Sequence, residues 1–357
     1  MKPVEYYHND QILAEEQRLF DQCRYITHKT RVPELEDYWC VTQCATEQKE
    51  ARILINTEQG PRLLSNVCRH RQARMLSGQG NTPSIVCPIH AWTYDLQGQN
   101  VACPKWNTVQ QRHLTEYKLK EWSGFLFETD QADLVSNLDK TSYKSYFNFE
   151  NYAFHSELER ICNFNWKTFM EVQAENLHID YVHKGLSNWV DSADMQYEWH
   201  KEYYVNSVAA KRNLSTAGSA AFEPWQERLQ PYMHHSDLDH GAIWLTIYPN
   251  IMIEIYPQSL LVMTVWPETA QRTRLITEYY YPKDICWFDP ELVQAHQQAD
   301  LEVLLEDIMI CERMDQGRLQ LLRQGQNDVG PVHPKHEVAL DHFYQWYDHA
   351  MRIDPAV

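Results

Sequence analysis

The chain has 357 residues, a formal net charge of −17 at pH 7, and 12% aromatic residues within a composition that is 43% hydrophobic. This length can bury one large hydrophobic core or two ordinary ones. The strong negative charge repels phosphate backbones and anionic lipids, so we expect neither a nucleic-acid partner nor a membrane partner.

Three features indicate the cellular compartment. Residues 1–20 carry charges throughout and lack the apolar core of a signal peptide. The longest apolar stretch, residues 241–266, is interrupted by Pro249 and Pro257, which argues against a membrane helix. The nine cysteines are an odd number and show no paired framework, as is usual in a reducing compartment. We therefore expect a cytoplasmic protein.

The N-terminal third predicts one helix followed by short strands. Residues 9–25 place Ile12, Leu13, Leu19 and Phe20 on one helical face, with Asp10 as the expected cap. From about residue 38 the pattern changes to short β-type runs separated by turns. These runs predict a compact antiparallel β domain.

Four potential metal ligands stand in two pairs inside this β region: Cys68 with His70, and Cys87 with His90. A zinc site of the Cys2His2 type usually pairs like with like on each arm. A Rieske [2Fe–2S] cluster instead places two Cys on one iron and two His on the other. Because each pair here supplies one Cys and one His, two loops could each reach both irons. The spacing therefore favours a Rieske cluster, with zinc as the alternative.

A second group of candidate residues lies in the segment 165–183. Its first half has apolar residues at helical spacing. Glu175 and His178 are three positions apart, so a continuous helix would place them on one face. His183 could fold back from the end of that helix towards the same point. Two histidines five apart are weak evidence alone, since satisfied structural histidines are the more common explanation.

Residues 241–281 alternate apolar and polar residues, which predicts antiparallel strands of a large sheet. Four of their aromatic residues are candidates for pocket walls: Trp244, Tyr248, Tyr256 and Trp266. The preceding polar segment, residues 213–241, includes a group of His and Asp residues at 234–240. We interpret that segment as a loop or lid, which explains the group without a metal.

The C-terminal region predicts helices at residues 299–325 and 336–352. An iron site of the 2-His-1-carboxylate type needs one carboxylate ligand besides two histidines. Asp307 borders the apolar side of the first of these helices and is the best-placed candidate. Glu306 and Asp315 are the alternatives.

Four stretches of the chain resemble one family: NVCRHR, CPIHAWTYDLQG, NWKTFMEVQAENLHIDYVHKGL and EDIMICERMDQG. They are similar to the large (alpha, terminal oxygenase) subunit of Rieske non-haem iron oxygenases, nearest the branch acting on choline, glycine betaine and carnitine. The resemblance covers nearly the whole chain. It implies a [2Fe–2S] cluster and a mononuclear Fe(II), with the following ligands: Cys68, His70, Cys87 and His90 for the cluster, and His178, His183 and Asp307 for the single iron.

The same resemblance implies a role for Glu175 and an assembly. Glu175 stands where most members have Asp, at the position that links the iron site to the cluster of a neighbouring subunit. This implies a homotrimer. No GxGxxG nucleotide-binding loop occurs in the chain, so electrons are expected from a separate NAD(P)H-dependent flavin/iron–sulfur reductase.

The expected fold class is α+β, with an antiparallel β Rieske domain and a helix-on-antiparallel-sheet (helix-grip) catalytic domain. We expect an N-terminal helical segment at 1–37 that packs on the catalytic domain, the Rieske domain at 38–140 and the catalytic domain at 141–357. The expected function is a monooxygenase that uses O2 to hydroxylate, or to cleave a C–N bond of, a small substrate. A quaternary ammonium compound is the suggested substrate, and an aromatic-ring-hydroxylating dioxygenase or an O-demethylase is the alternative.

Overall fold

The computed structural model describes residues 1–45, 48–131, 133–211, 217–233 and 240–352. The chain forms two compact units. The larger unit comprises residues 1–21, 141–143 and 151–357, and the smaller unit comprises residues 22–140 and 144–150. The domain boundaries expected from the sequence stay a prediction.

The first helix, α1, spans Asp10–Gln22. Asn9 rather than Asp10 caps it, because the Asn9 side chain accepts a hydrogen bond of 2.8 Å from the amide of Gln11. The Asp10 carboxylate instead accepts from the amide of Ala270. The predicted apolar face is confirmed for Leu13, Leu19 and Phe20, which belong to the core of the larger unit, whereas Ile12 is only half-buried.

The smaller unit is built from three antiparallel sheets and one short helix. Its elements are β1 (Cys23–His28), β2 (Asp37–Cys40), β3 (Arg52–Thr57), β4 (Gly60–Ser65), β5 (Gln79–Asn81), β6 (Ile85–Val86), β7 (Thr93–Tyr94), β8 (Asn100–Ala102), β9 (Glu116–Tyr117), β10 (Leu119–Trp122), β11 (Phe125–Thr129) and α2 (Leu134–Leu138). The sheet orders are β1-β11-β10, β5-β2-β3-β4-β9 and β6-β7-β8. The predicted antiparallel β character of this region is confirmed.

The larger unit packs helices on one seven-stranded antiparallel sheet, as the expected fold class requires. Its elements after α1 are β12 (Tyr152–Cys162), α3 (Trp166–Gln173), α4 (Ile179–Val182), α5 (Lys184–Trp189), β13 (Gln196–Trp199), β14 (Tyr203–Val208), α6 (Phe222–Leu229), β15 (Ala242–Ile247), β16 (Ile251–Tyr256), β17 (Ser259–Thr269), β18 (Arg272–Pro282), α7 (Lys283–Phe288), α8 (Pro290–Arg323) and α9 (Val338–Arg352). The sheet order is β12-β18-β17-β16-β15-β14-β13. Of the helices described, none is both long enough and apolar enough to cross a membrane.

Helix α8 is longer than the periodicity of the sequence predicts, because it begins at Pro290 rather than near residue 299. Asp289 caps it by accepting from the amide of Leu292 at 3.0 Å, and proline is tolerated at a first helical position since that amide needs no partner. Gly325 follows its end with φ +73°, the left-handed conformation that glycine adopts at no steric cost.

A buried polar network fixes α3 against α1 and α9. The Glu16 carboxylate accepts from Lys167 Nζ at 2.7 Å and from Trp166 Nε1 at 2.7 Å. The hydroxyl of Tyr347, on α9, also donates to Glu16. Both charges of the Glu16–Lys167 pair are fully buried, so losing either partner would leave an uncompensated charge in the core. The network therefore holds the helix that leads into the second group of candidate residues.

Candidate metal centres and substrate cavity

Cys68 and Cys87 come together in the smaller unit from two different loops. Both side chains are buried, and the second loop is the tip of the β6–β7 hairpin. The first loop, residues 68–73, is likewise closed by an antiparallel pairing, the isolated bridge between Val67 and Arg74. Burial raises the pKa of the Cys87 thiol, and a hydrogen bond with Cys68 adds to the rise. The two sulfur atoms are therefore direct neighbours.

His70 and His90 form the other half of this site. Their ring centroids lie 4.8 Å apart, and His70 stacks on Trp92 with centroids 4.7 Å apart and planes 6° from parallel. Nδ1 of His70 is buried and has no hydrogen-bond partner among the described residues, and most buried polar atoms in proteins do have one. A metal at that nitrogen would satisfy it.

The pairing of sulfur with sulfur and of imidazole with imidazole separates the two metal hypotheses. A tetrahedral zinc ion needs all four ligand atoms around one point. Within the described ranges, the only group of three or more potential ligand atoms lying within 4.8 Å of one another is His178, His183 and Asp307. The four residues at 68–90 instead meet by type, Cys68 with Cys87 and His70 with His90, which fits a [2Fe–2S] cluster with a cysteine iron and a histidine iron.

Three side chains converge in the larger unit: His178, His183 and Asp307. We call these three residues the triad. Nε2 of His183 lies 3.1 Å from Nε2 of His178 and 2.9 Å from Oδ1 of Asp307. Nε2 of His178 lies 3.5 Å from the same oxygen. Asp307 is 3% exposed and His183 is 1% exposed. Two nitrogens and one oxygen facing one point are the donor set that non-haem Fe(II) takes, with the opposite positions open.

Each member of the triad is hydrogen-bonded to another side chain through an atom that faces away from the point where the three meet. Oε1 of Glu175 lies 2.6 Å from Nδ1 of His178. Oε2 of Glu306 lies 2.8 Å from Nδ1 of His183. The amide of Gln173 donates to Oδ2 of Asp307 at 2.9 Å. Because the Nδ1 atoms face carboxylates, they carry the ring protons, and the Nε2 lone pairs are left to face the metal position.

The shifted pKa values of the triad residues indicate a strongly negative electrostatic potential at this site. Burial would lower the pKa of His178, but hydrogen bonds to Asp307 and Glu175 raise it to about 9. The pKa of His183 is raised through Asp307 and Glu306 in the same way, against burial. Burial would raise the pKa of Asp307, but hydrogen bonds from both histidines lower it. A divalent cation can replace the protons that this acid-rich site attracts, so the donor set fits a single iron.

The expected continuous helix through Glu175 and His178 is wrong. Helix α3 ends at Gln173, and residues 174–178 form a turn before α4 begins at Ile179. The break is stabilised by the Glu175 carboxylate, which accepts from the amides of Leu177 and His178. A carboxylate near the first amides of α4 is favoured for the same reason as a capping residue. The turn, rather than helical spacing, brings His178 next to His183.

Of the three acids considered for the third ligand, only Asp307 lies in the triad. Glu306 contacts the other side of the His183 ring, as described above. Asp315 is 4% exposed, but its carboxylate accepts from Thr168 Oγ1, from the amide of Asn165 and from Arg318. Burial therefore does not distinguish Asp307 from Asp315, but their hydrogen-bond partners do distinguish them.

The triad opens into a cavity between the helices and the sheet. One face of α8 supplies residues at helical spacing: His296, Ala299, Asp300, Val303, Leu304 and Asp307. Alternate residues of β16 supply the facing wall: Met252, Glu254 and Tyr256. Of the four aromatic residues expected at a pocket wall, Trp244 and Tyr256 line the cavity. Tyr248 and Trp266 pack in the hydrophobic core instead.

Glu254 and Asp300 are cavity residues that sequence reasoning missed. Burial raises the pKa of Glu254 to about 8, and the negative charge of Asp300 adds to the rise. Burial likewise raises the pKa of Asp300 to about 6. Two signals pointed to them: Asp300 is seven residues before Asp307 on one helix, and Glu254 interrupts an otherwise apolar strand. The group of His and Asp residues at 234–240 lies outside the described residues, except for His240.

Sequence comparisons place this site among known oxygenases. Residues 149–353 match the model of the ring hydroxylating alpha subunit (catalytic domain), and residues 27–117 match the Rieske [2Fe–2S] domain. The chain is 38% identical to a putrescine 2-hydroxylase of Ralstonia nicotianae over 98% of its own length and 95% of that protein. It is 24% identical to the chloroplastic choline monooxygenase of Beta vulgaris, over 79% of its own length and 61% of that protein.

Solved structures show the same fold. A quaternary ammonium Rieske monooxygenase, whose structure was described in connection with carnitine oxidation and inter-subunit electron transfer, aligns with a TM-score of 0.75 at 17% identity over 99% of this chain and 95% of that one. A naphthalene 1,2-dioxygenase from Rhodococcus sp. aligns with a TM-score of 0.73 at 17% identity over 98% of this chain and 94% of that one. The fold is therefore common to monooxygenases and dioxygenases and does not choose a substrate.

Proposed function

Because the chain belongs to the Rieske non-haem iron oxygenases, as a ring-hydroxylating type alpha subunit, we propose that it hydroxylates a carbon of a small cationic amine. It carries a Rieske domain and a catalytic domain of the mononuclear-iron type. The relatives named above act, by their names, on putrescine and on choline, which are both cations. The shared property is a positive charge on nitrogen next to a short carbon chain.

The charge of the cavity is the observation that carries this proposal. Glu254 and Asp300 line the cavity together with the triad, and no Lys or Arg lies among its described lining residues. His296 adds no charge, since burial lowers its pKa to about 3 and both ring nitrogens are hydrogen-bonded, to Ser259 and to Tyr281. The raised pKa values of Glu254 and Asp300 mean that no cation among the described residues stabilises their charged forms, and a substrate ammonium group would do so.

We assign the metal ligands as the sequence suggested. Cys68, His70, Cys87 and His90 would hold the cluster, and the triad would hold the iron. When bound, the iron supplies the activation of O2 for attack on a C–H bond. The chain itself positions the substrate: the acids fix its charged end, and the apolar residues of the cavity exclude water from the reacting carbon.

Glu175 has two contacts that suit the role expected from the family. Its carboxylate binds the ring proton of His178 through one oxygen and two backbone amides through the other. The side chain is 15% exposed, so part of it remains reachable from outside. We propose that Glu175 receives the exposed imidazole of His90 from a neighbouring copy in a homotrimer, and that a separate NAD(P)H-dependent flavin/iron–sulfur reductase reduces the cluster.

Two further expectations belong to the same proposal. None of the nine cysteines forms a disulfide, which agrees with a cytoplasmic location. We also propose a Rieske domain at 38–140 and a catalytic domain at 141–357, with residues 1–37 packing on the latter. The contacts of α1 with α3 and α9 support that packing.

A second candidate substrate class is the quaternary ammonium ions, as we expected from the sequence. Trp225, Trp244 and Tyr256 line the cavity. The Tyr256 ring lies 6.4 Å from that of Trp225 and 6.3 Å from that of Trp244, in both cases nearly perpendicular. Such an arrangement offers aromatic faces to a cation that has no N–H groups.

The test is a substrate panel under turnover. The purified chain is combined with a Rieske-oxygenase reductase, NADH and O2, and putrescine, choline, glycine betaine, carnitine, naphthalene and a methoxybenzoate are supplied in turn. We expect amine-dependent NADH consumption and a product heavier by one oxygen atom. Formation of a cis-diol from naphthalene, with no product from any amine, would overturn the proposal in favour of a dioxygenase. Release of formaldehyde from a methoxy substrate alone would favour an O-demethylase.

A further inference from the structure

The cavity wall carries three oxygen atoms that can accept hydrogen bonds but receive none from any residue that the structure describes. They belong to Glu254, Asp300 and Asn206, and all three residues line the cavity of the triad. The following observations concern the side chains that hold each of them in place. Together they specify a ligand that donates several hydrogen bonds.

Glu254 is held by one of its two oxygens. The hydroxyl of Tyr256 donates to Oε2 at 3.1 Å, and Tyr256 in turn accepts from Trp244 Nε1 at 3.0 Å. Because Trp244 donates to the tyrosine oxygen, the tyrosine proton is committed to Glu254. No described residue donates to Oε1 of Glu254.

Asp300 is held in the same way from the sheet. The hydroxyl of Tyr279 donates to Oδ2 at 2.6 Å, and Oδ1 accepts from no described residue. Burial raises the pKa of this carboxyl, and the negative charge of Asp307 adds to the rise. A cation beside Asp300 would relieve both effects.

Asn206 supplies an independent sign of a missing donor. The residue is 6% exposed, its Nδ2 contacts Met195 Sδ at 3.4 Å, and its Oδ1 is buried with no partner. In the sheet Asn206 pairs with Trp244, and Trp244 pairs with Glu254. Directly paired residues point to the same face, so Asn206 and Glu254 face the cavity two strands apart, roughly 10 Å between backbones.

We propose that the cavity binds an unbranched primary diamine by both ends, with Glu254 and Asp300 accepting from one ammonium group and Asn206 accepting from the other. A primary ammonium has three N–H donors, whereas a quaternary ammonium has none. A quaternary ammonium therefore cannot satisfy the three oxygens, whereas the two primary ammonium groups of a diamine can. The inference rests on the proposed function and specifies the substrate class for the same cavity.

The placement of Asp300 on α8 adds a rule for the position of attack. Asp300 and Asp307 are seven residues apart, about 10 Å along the axis at about 1.5 Å per residue. An ammonium nitrogen fixed at Asp300 therefore lies a constant distance from the triad. The carbon that lies next to the triad is therefore a fixed number of bonds from the nitrogen bound at Asp300, whatever the length of the remaining chain.

Binding is measured first, without turnover, on the fully loaded protein under anaerobic conditions. Calorimetric titrations use butane-1,4-diamine, butylamine and choline. We expect the diamine to bind most tightly and choline at least about 10-fold more weakly than the diamine, since a site built for N–H donors rejects analogues that lack them. Choline binding as tightly as the diamine would overturn the inference.

Variants then assign the two ends. Glu254→Gln and Asp300→Asn should each raise the dissociation constant of both butylamine and the diamine by about 10-fold or more, as expected for a hydrogen bond to a charged group. Asn206→Leu should weaken the diamine and leave butylamine unchanged. Glu302→Gln, on the same helix but outside the cavity lining, is the matched control. Unchanged cluster absorbance and iron content verify that each variant is folded.

Product analysis tests the position rule. The hydroxylated carbon is mapped for butane-1,4-diamine and for pentane-1,5-diamine, counting from the more distant nitrogen. The rule is supported if the hydroxylated carbon has the same number in both products when counted from the more distant nitrogen. It is contradicted if the numbers agree only when counted from the nearer nitrogen. If choline reacts and diamines neither bind nor react, this inference fails while the proposed function stands. If no cationic amine binds or reacts, the proposed function itself fails.

Discussion

Asp300 and Asp307 lie two turns apart on one face of α8, and both carboxylates reach the same cavity. Asp307 faces His183 at 2.9 Å, whereas Asp300 has a tyrosine hydroxyl as its protein partner. In our proposal, one helix thus presents an acid for a metal ion and a second acid for an organic cation. This relationship would connect substrate binding to the position of the iron.

Removal of the third ligand should empty the mononuclear site alone. In Asp307→Ala we expect total iron to fall from about three to about two per chain, because the [2Fe–2S] cluster has its own ligands. The visible spectrum of the cluster should be unchanged, and product formation should cease. Iron analysis and absorbance measure both, with Glu302→Ala as the control on the same helix. Normal iron content and activity in Asp307→Ala would mean that the ligand is misassigned.

The Glu306 carboxylate should strengthen iron binding from outside the triad. It lies 2.8 Å from Nδ1 of His183 and so fixes the tautomer that turns Nε2 to the metal. We expect Glu306→Gln to weaken iron binding about 10- to 100-fold, as is usual for such partners. Chelator competition followed by iron analysis measures the change. An affinity equal to that of Glu302→Gln would show that the contact has no effect on the metal.

Glu175 and Glu306 hold equivalent nitrogens of the two ligand histidines, so they form a matched pair for testing electron transfer. Both Glu→Gln variants should lose some iron affinity for the reason given above. With iron restored in excess, only Glu175→Gln should slow oxidation of the reduced cluster after addition of O2 and substrate. Stopped-flow absorbance of the cluster follows that step. Equal rates in the two variants would contradict the bridging role of Glu175.

Replacement of Glu254 should stabilise the amine-free protein at alkaline pH. The folded pKa of Glu254 is about 8, above the ordinary value of 4.5, so its contribution to stability is present at low pH and is lost as the pH rises through 8. Three other titratable groups face the same cavity: Asp300, Asp307 and Tyr256. The pKa of Asp300 is about 6, so this carboxyl loses its proton at a lower pH than Glu254 does.

We therefore expect Glu254→Gln to have a higher Tm than the wild type at pH 9, where the wild-type carboxylate is charged, and a similar Tm at pH 5. The same variant should bind amines poorly, which is the usual opposition between stability and function at a polar site. Thermal unfolding at pH 5, 7 and 9 measures the difference. A Tm difference that does not depend on pH, as expected for Glu302→Gln, would count against a buried charge at Glu254.

Much of this protein could be predicted because its metal ligands are close in sequence. Each half of the Cys68–His90 motif is a short loop whose spacing alone restricts the metal, and residue type separates a Rieske cluster from zinc. The α+β class and the principal helices followed from apolar periodicity. The suggestion of a cationic substrate came from the family resemblance at Glu175 and from the aromatic-rich strands, and neither Glu254 nor Asp300 was among its reasons.

Tertiary structure decided what periodicity could not. Asp307 and Asp315 are both buried on α8, and only the position of the helix against α3 and His183 distinguishes a ligand from a structural acid. Glu254 reaches the cavity because β16 pairs in one register with β15, and a shift of one residue would turn it to the other face. The sequence by itself indicated which chemistry the chain can perform, since all of the proposed metal ligands except Asp307 stand in two local motifs. Only the fold determined which acids line the cavity and meet the two histidines, because their convergence depends on contacts between residues far apart in the chain.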